Sequence, residues 1–212
     1  RVPGASTSTY LYLGGPDGDM ALAVSDMAIS QEISPEYLAE NLTLLNGAQL
    51  VVVDANIPEE SIAFLAEHVI PPIFADPVSV TKAKKFAPVL GKLHTLKPNR
   101  MEAALLSGVA IHNLEDTKRA AQTLLDTGLR RVFISMGTDG VLAADHSGML
   151  LLPCIPATVR NATGAGDAFV AGLVWAYLKG SDLKTSAAAG SAASSISIEG
   201  TETINEALSE ET

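Results

Sequence analysis

A single cysteine, Cys154, stands in 212 residues, which rules out an internal disulfide and suits a reducing compartment. The four histidines, His68, His94, His112 and His146, are scattered with no H-x-x-x-H pairing, which argues against a zinc centre. Cations are scarce too: 14 Lys and Arg against 24 Asp and Glu give a formal charge of −10. Nucleic acid and anionic membranes need clustered Lys and Arg, so neither is expected as a partner. No apolar run reaches the roughly 18 residues needed to cross a bilayer, and no charged-then-apolar leader opens the sequence. The expectation is a soluble, cytoplasmic protein. Two nucleotide signatures are also missing. Nothing matches G-x-x-x-x-G-K-[ST], and Gly164-Ala165-Gly166-Asp167 lacks the third glycine of a dinucleotide fingerprint.

What remains is an Ala-, Leu- and Val-rich chain, 47% hydrophobic with only 5% aromatics, long enough to bury a core. Ser6 to Leu13 and Met20 to Val24, either side of Gly14-Gly15-Pro16-Asp17-Gly18, read as a β-hairpin. Short apolar runs at Leu50 to Asp54, Ile73 to Asp76, Leu93 to Lys97 and Arg131 to Ser135 read as strands. Helical spacing covers Pro35 to Leu45, Glu59 to His68, Arg100 to Ser107 and Glu115 to Thr127. Strands alternating with helices predict an α/β fold with a mostly parallel sheet covered on both faces. A second hairpin is expected from Val141 to Asp145 and Met149 to Leu152. Two helices follow, Ala168 to Leu178 and the small-residue segment Leu183 to Ile198, and then an acidic tail from Glu199 to Thr212 expected to be partly mobile.

Three blocks carry the chemistry. Asn161-Ala162-Thr163-Gly164-Ala165-Gly166-Asp167 is a glycine-rich turn leading into a helix, whose first N–H groups and dipole make an anion site. A carboxylate in such a cradle points to action on the group that attacks a phosphate. The same residues serve equally as a tight turn with Thr163 or Asp167 as helix cap. Lys97-Pro98-Asn99-Arg100-Met101-Glu102 ends a strand and has the spacing of a capping box. Read functionally, its amide and carboxylate sit where open α/β sheets bind ligands and could position hydrated magnesium, with Lys97 adding a cation for phosphates. Ser135-Met136-Gly137-Thr138-Asp139-Gly140 is a strand followed by a two-glycine turn that lets a base or ribose approach the backbone.

Together, and in this order, the blocks resemble the ribokinase-like (pfkB) carbohydrate kinases. The resemblance implies a three-layer α/β/α fold with a partial β lid: residues 1–30 form the lid hairpin and its return to the core, and 31–212 the nucleotide- and phosphate-binding core. It implies an ATP-dependent kinase acting on a sugar or nucleoside hydroxyl. Asp167 would be the general base and Gly164, Ala165 and Gly166 the anion hole. Asn99 and Glu102 would arrange Mg2+ through water, and Lys97, Ser135, Gly137, Gly140 and Thr163 would border the nucleotide. Within the family, Asp76-Pro77-Val78-Ser79 with Lys82, and His94 to Arg100 with Glu102-Ala103, are most similar to the pseudouridine kinases, whose product is the 5′-monophosphate.

Two departures matter. Many relatives carry an aspartate six positions before the catalytic one; here it is Asn161, which puts activation by a monovalent cation in question. Family members also begin with a strand bearing a sugar-binding acid and a G-G motif, and neither precedes the hairpin, so an N-terminally truncated chain is expected. Ribose, fructose or a purine nucleoside are the rival acceptors. The alternative outside catalysis is an assembly module, with the unpaired hairpin edge offering a homodimer surface.

Overall fold

A computed structural model of the chain describes residues 1–14 and 20–209; the hairpin turn expected at Gly14–Gly18 falls, from residue 15 onward, outside them. These residues group into two compact units: Arg1–Thr9, Asp26–Met136 and Leu142–Leu150 in the first, and Tyr10–Ser25, Gly137–Val141 and Leu151–Thr212 in the second. Strands β1 (Thr9–Gly14) and β2 (Met20–Asp26) pair as a two-stranded sheet. Among the described residues no helix is long and apolar enough to cross a membrane.

The first unit is the α/β run. Pro35 to Leu45 is two helices rather than one, α1 (Pro35–Glu40) and α2 (Leu42–Asn46). Asn41 divides them: its backbone leaves the helical region at φ −103° and its side-chain amide donates to Tyr37 O at 2.8 Å, offering the backbone an alternative to a continuous helix. Next come β3 (Val51–Asp54), α3 (Glu59–His68), β4 (Ile73–Asp76), α4 (Val80–Ala83), a 3₁₀ stretch Lys84–Lys92, and β5 (Thr95–Leu96). Helices α5 (Arg100–Ser107) and α6 (Leu114–Asp126) precede β6 (Arg131–Ser135), β7 (Val141–Asp145) and β8 (Gly148–Leu152). The six strands β3 to β8 lie side by side in sequence order. The first four are parallel, with Asp54 opposite Asp76 at the carboxyl ends of β3 and β4. The connections 136–140 and 146–147 are too short for a crossover, so β7 and β8 run antiparallel to their predecessors.

One face of the sheet presents Val53, Ile73, Ala75, Leu96, Val132, Ile134 and Leu142 to Ile62 and Leu65 of α3, Phe86 and Leu90 of the 3₁₀ stretch, and Leu124 and Leu125 of α6. Each of the Val, Leu, Ile and Phe side chains contributes about 1.5–3 kcal/mol by leaving water, which fixes strand register and aims the strand ends. On the opposite face of β3, the edge strand, Val52 is 52% exposed.

The second unit is built on α7 (Ala165–Leu178) and α8 (Leu183–Glu199). The small-residue run in α8 lets the helices touch: a Cβ added at Gly172 would lie 2.5 Å from Ala189 O. The segment after α8, expected to be partly mobile, is tied back at two points of its described part. Asn205 donates its side-chain amide to Ile196 O at 2.7 Å, and Asn161 donates its own to Thr201 O at 3.3 Å.

Candidate functional site

The candidate residues fall into one group in each unit. In the first, the carboxyl ends of the parallel strands bring Asp54, Asp76, Lys97, Asn99, Glu102 and Ser135 to one edge of the sheet. Proline 98 ends β5, and Ser135 N–H donates to Pro98 O at 3.0 Å, so that Asn99 and Ser135 bridge as neighbours. Asn99 then starts α5 through a complete capping box. Its Oδ1 accepts Glu102 N–H at 2.9 Å, and Glu102 Oε2 accepts Asn99 N–H at 2.8 Å.

Glu102 is only 3% exposed. Burial raises its carboxyl above the ordinary carboxylate range; the Asn99 N–H opposes this, Asp76 adds to it, and Lys97 opposes it. A buried carboxylate with a second anion nearby is stabilised by an added cation, which is the fit a magnesium site requires. Among the described residues no group of three or more His, Cys, Asp or Glu could cage an ion. Magnesium here would therefore rely on water and substrate phosphates, its usual mode. Lys97 is buried and its Nζ lies 3.2 Å from Asp76 Oδ2. Nearby, Lys82 Nζ donates to Asn56 Oδ1 at 2.5 Å, and Asn56 Nδ2 donates to Asp54 Oδ2 at 2.5 Å.

In the second unit, α7 begins at Ala165, three residues earlier than its apolar spacing predicts, which places Asp167 inside the first turn and exposed. Gly164 is the cap residue, at φ 87° and ψ −7°. A side chain there would be strained, and its Cβ would also meet Thr203 O at 2.6 Å. Asn161 Oδ1 accepts Thr163 N–H at 2.9 Å and shapes the approach to the turn. The first regular helical bond is Ala168 N–H to Gly164 O at 2.8 Å, so the N–H groups of Ala165, Gly166 and Asp167 precede the helical ladder, with Ala165 N–H turned back to Ala162 O at a long 3.4 Å. Neither Thr163 nor Asp167 is the cap; Asp167 stands in the first turn, where a carboxylate also suits the helix dipole.

The turn after β6 separates its two glycines. Gly140, at φ +87°, has a packing reason: a Cβ there would lie 2.0 Å from Leu152 O. Gly137, at φ +62°, has nothing within 4 Å and is the one that leaves room for another molecule. Sequence reasoning missed Thr203, which backs the glycine turn from a segment read as tail. No local motif signals that contact.

The profile of the pfkB family of carbohydrate kinases matches residues 1–210. A pseudouridine kinase of Escherichia coli (strain K12) is 43% identical over 181 residues, 84% of this chain and 58% of that protein. The chain thus spans less than two thirds of that relative's length. Among solved structures, a carbohydrate kinase from Agrobacterium tumefaciens superimposes with a TM-score of 0.81 at 25% identity, over 99% of this chain and 68% of the other. An Arabidopsis thaliana ribokinase solved with ribose and ATP gives 0.78 at 21% identity, over 92% and 64%, a likeness of fold.

Proposed function

The chain belongs to the pfkB family of carbohydrate kinases, and on that premise we propose that it serves ATP-dependent phosphoryl transfer to a hydroxyl of pseudouridine, giving pseudouridine 5′-phosphate. The observation that carries the reading is Asp167 in the first turn of α7 behind a left-handed Gly164, a carboxylate beside N–H groups outside the helical ladder. The 43% identity to a pseudouridine kinase supports the acceptor.

In this reading Asp167 accepts the proton of the attacking hydroxyl. Its pKa need not approach 7, because in a loose transition state positioning dominates over proton removal. The N–H groups at Gly164, Ala165 and Gly166 stabilise the oxygens of the transferring group, and losing one such donor typically raises the barrier by about 3 kcal/mol. Asn99 and Glu102 would hold Mg2+ through water, and the ion when bound would supply charge neutralisation at the phosphates. Lys97 faces the phosphates, while Ser135, Gly137, Gly140 and Thr163 border the nucleotide. The exposed Tyr10, Leu11, Leu13 and Val24 of the β1–β2 hairpin support its use as a homodimer surface.

An acceptor panel of pseudouridine, ribose, fructose and adenosine with Mg-ATP tests the assignment. Turnover of pseudouridine above the others is expected. No turnover of pseudouridine beside good turnover of a free sugar would overturn the acceptor.

A further inference from the structure

At the carboxyl end of β4 the backbone does something its sequence should resist. Val78 has φ +64°, the left-handed region that a β-branched side chain disfavours, and no other non-glycine residue among those described has a positive φ. Ser79 N–H donates to Pro77 O at 2.7 Å, closing a strained three-residue turn around Val78. Such strain persists only where its surroundings hold it, and it gathers at functional sites.

The holder is Asp76. Its Oδ1 accepts Val78 N–H at 2.8 Å, and its Oδ2 lies 3.2 Å from Lys97 Nζ. Lys97 is 8% exposed, and its backbone N–H is fixed to Ala75 O at 3.0 Å, so backbone and ammonium are both anchored to β4. A free lysine is a flexible arm that must be ordered each time it meets an anion; a lysine already held by a carboxylate is not. An ammonium has three N–H donors, and one partner leaves others to face a phosphate.

We propose that Asp76 is a positioning residue for phosphate recognition: one carboxylate ties the left-handed turn at Val78 to the Lys97 ammonium and holds that cation beside Asn99 and Glu102. The proposal rests on the kinase reading. It makes Asp76 act through Lys97, without touching the nucleotide.

Calorimetric binding of ATP, ADP, AMP and adenosine to the full chain in magnesium buffer tests it, using wild type, Asp76→Asn, Lys97→Met and the double variant. Asp76→Asn should weaken ATP about tenfold, the scale of one hydrogen bond to a charged group, and leave adenosine unchanged. In the Lys97→Met background Asp76→Asn should add no further loss. Unchanged ATP affinity, an equal loss for adenosine, or the same loss in both backgrounds would each overturn the proposal. A wild-type chain that binds no nucleotide overturns the kinase reading and this proposal with it; one that binds ATP regardless of Asp76 overturns the proposal alone. Should Asp76→Asn not fold, Asp76→Glu keeps the charge but moves it by one methylene. The same phosphate-graded loss is expected, and an ungraded loss contradicts it.

Discussion

Thr203 lies against the open side of Gly164, its carbonyl oxygen 2.6 Å and its Cγ2 2.9 Å from where a Cβ at position 164 would stand. The turn that starts α7 is therefore shaped both by its own left-handed backbone and by the segment that follows α8.

Gly164→Ala should lower stability by about 2–3 kcal/mol, combining left-handed strain with a clash against backbone that cannot rotate away. Gly137→Ala, at φ +62° with nothing within 4 Å, should lose only the conformational part, about 1 kcal/mol. Denaturant midpoints of the two variants give the comparison. Equal losses would mean that Thr203 does not press on the turn.

Asn99→Ala removes the acceptor for Glu102 N–H and should destabilise the chain by about 1 kcal/mol, the usual value of an N-cap. Glu102→Gln keeps an oxygen for Asn99 N–H and should be tolerated far better, while weakening the magnesium dependence of nucleotide binding. Urea unfolding together with a magnesium titration separates the two roles.

The raised pKa of Glu102 has a definite sign in stability. A carboxyl whose folded pKa lies above its unfolded value contributes stability that is present at low pH and lost as pH rises through the folded pKa. Glu102→Gln should therefore gain stability relative to wild type as pH rises from the ordinary carboxylate range to neutrality. A constant difference across that window would show that Glu102 carries no unusual burial penalty.

His94 moves stability the other way. Burial, with Arg131 and Arg130 adding to it, lowers its pKa to about 4, while its ring stacks on Phe74 and its Nδ1 lies 2.9 Å from Thr95 Oγ1. Its neutral form belongs to the fold, so stability should fall as pH drops from about 6.5 to about 4, by at most about 1.4 kcal/mol per pH unit. The pH dependence of His94→Gln, subtracted from that of wild type, isolates this slope. A flat difference would contradict it.

Much of this molecule was legible because its signals are local. The β-branched run Val51-Val52-Val53 and the N-x-x-E spacing of Asn99 and Glu102 state strand and capping box directly. The break at Asn41 was not legible, since either side has helical spacing and only the side-chain bond to Tyr37 O decides against continuity. The helical stretch from Val80 to Lys92 was missed because Pro88 and Gly91 disguise it. Asp76 was visible as a strand-end acid, but its grip on Val78 and Lys97 is a tertiary relationship that spacing alone does not encode.

On the proposed reading, Asp167 removes the proton in phosphoryl transfer. Turnover of pseudouridine with Mg-ATP, and ATP affinity by calorimetry, should be measured for wild type and Asp167→Asn. A fall in kcat of about 10²–10⁴-fold with ATP affinity nearly unchanged is expected. Retained turnover in Asp167→Asn would contradict it.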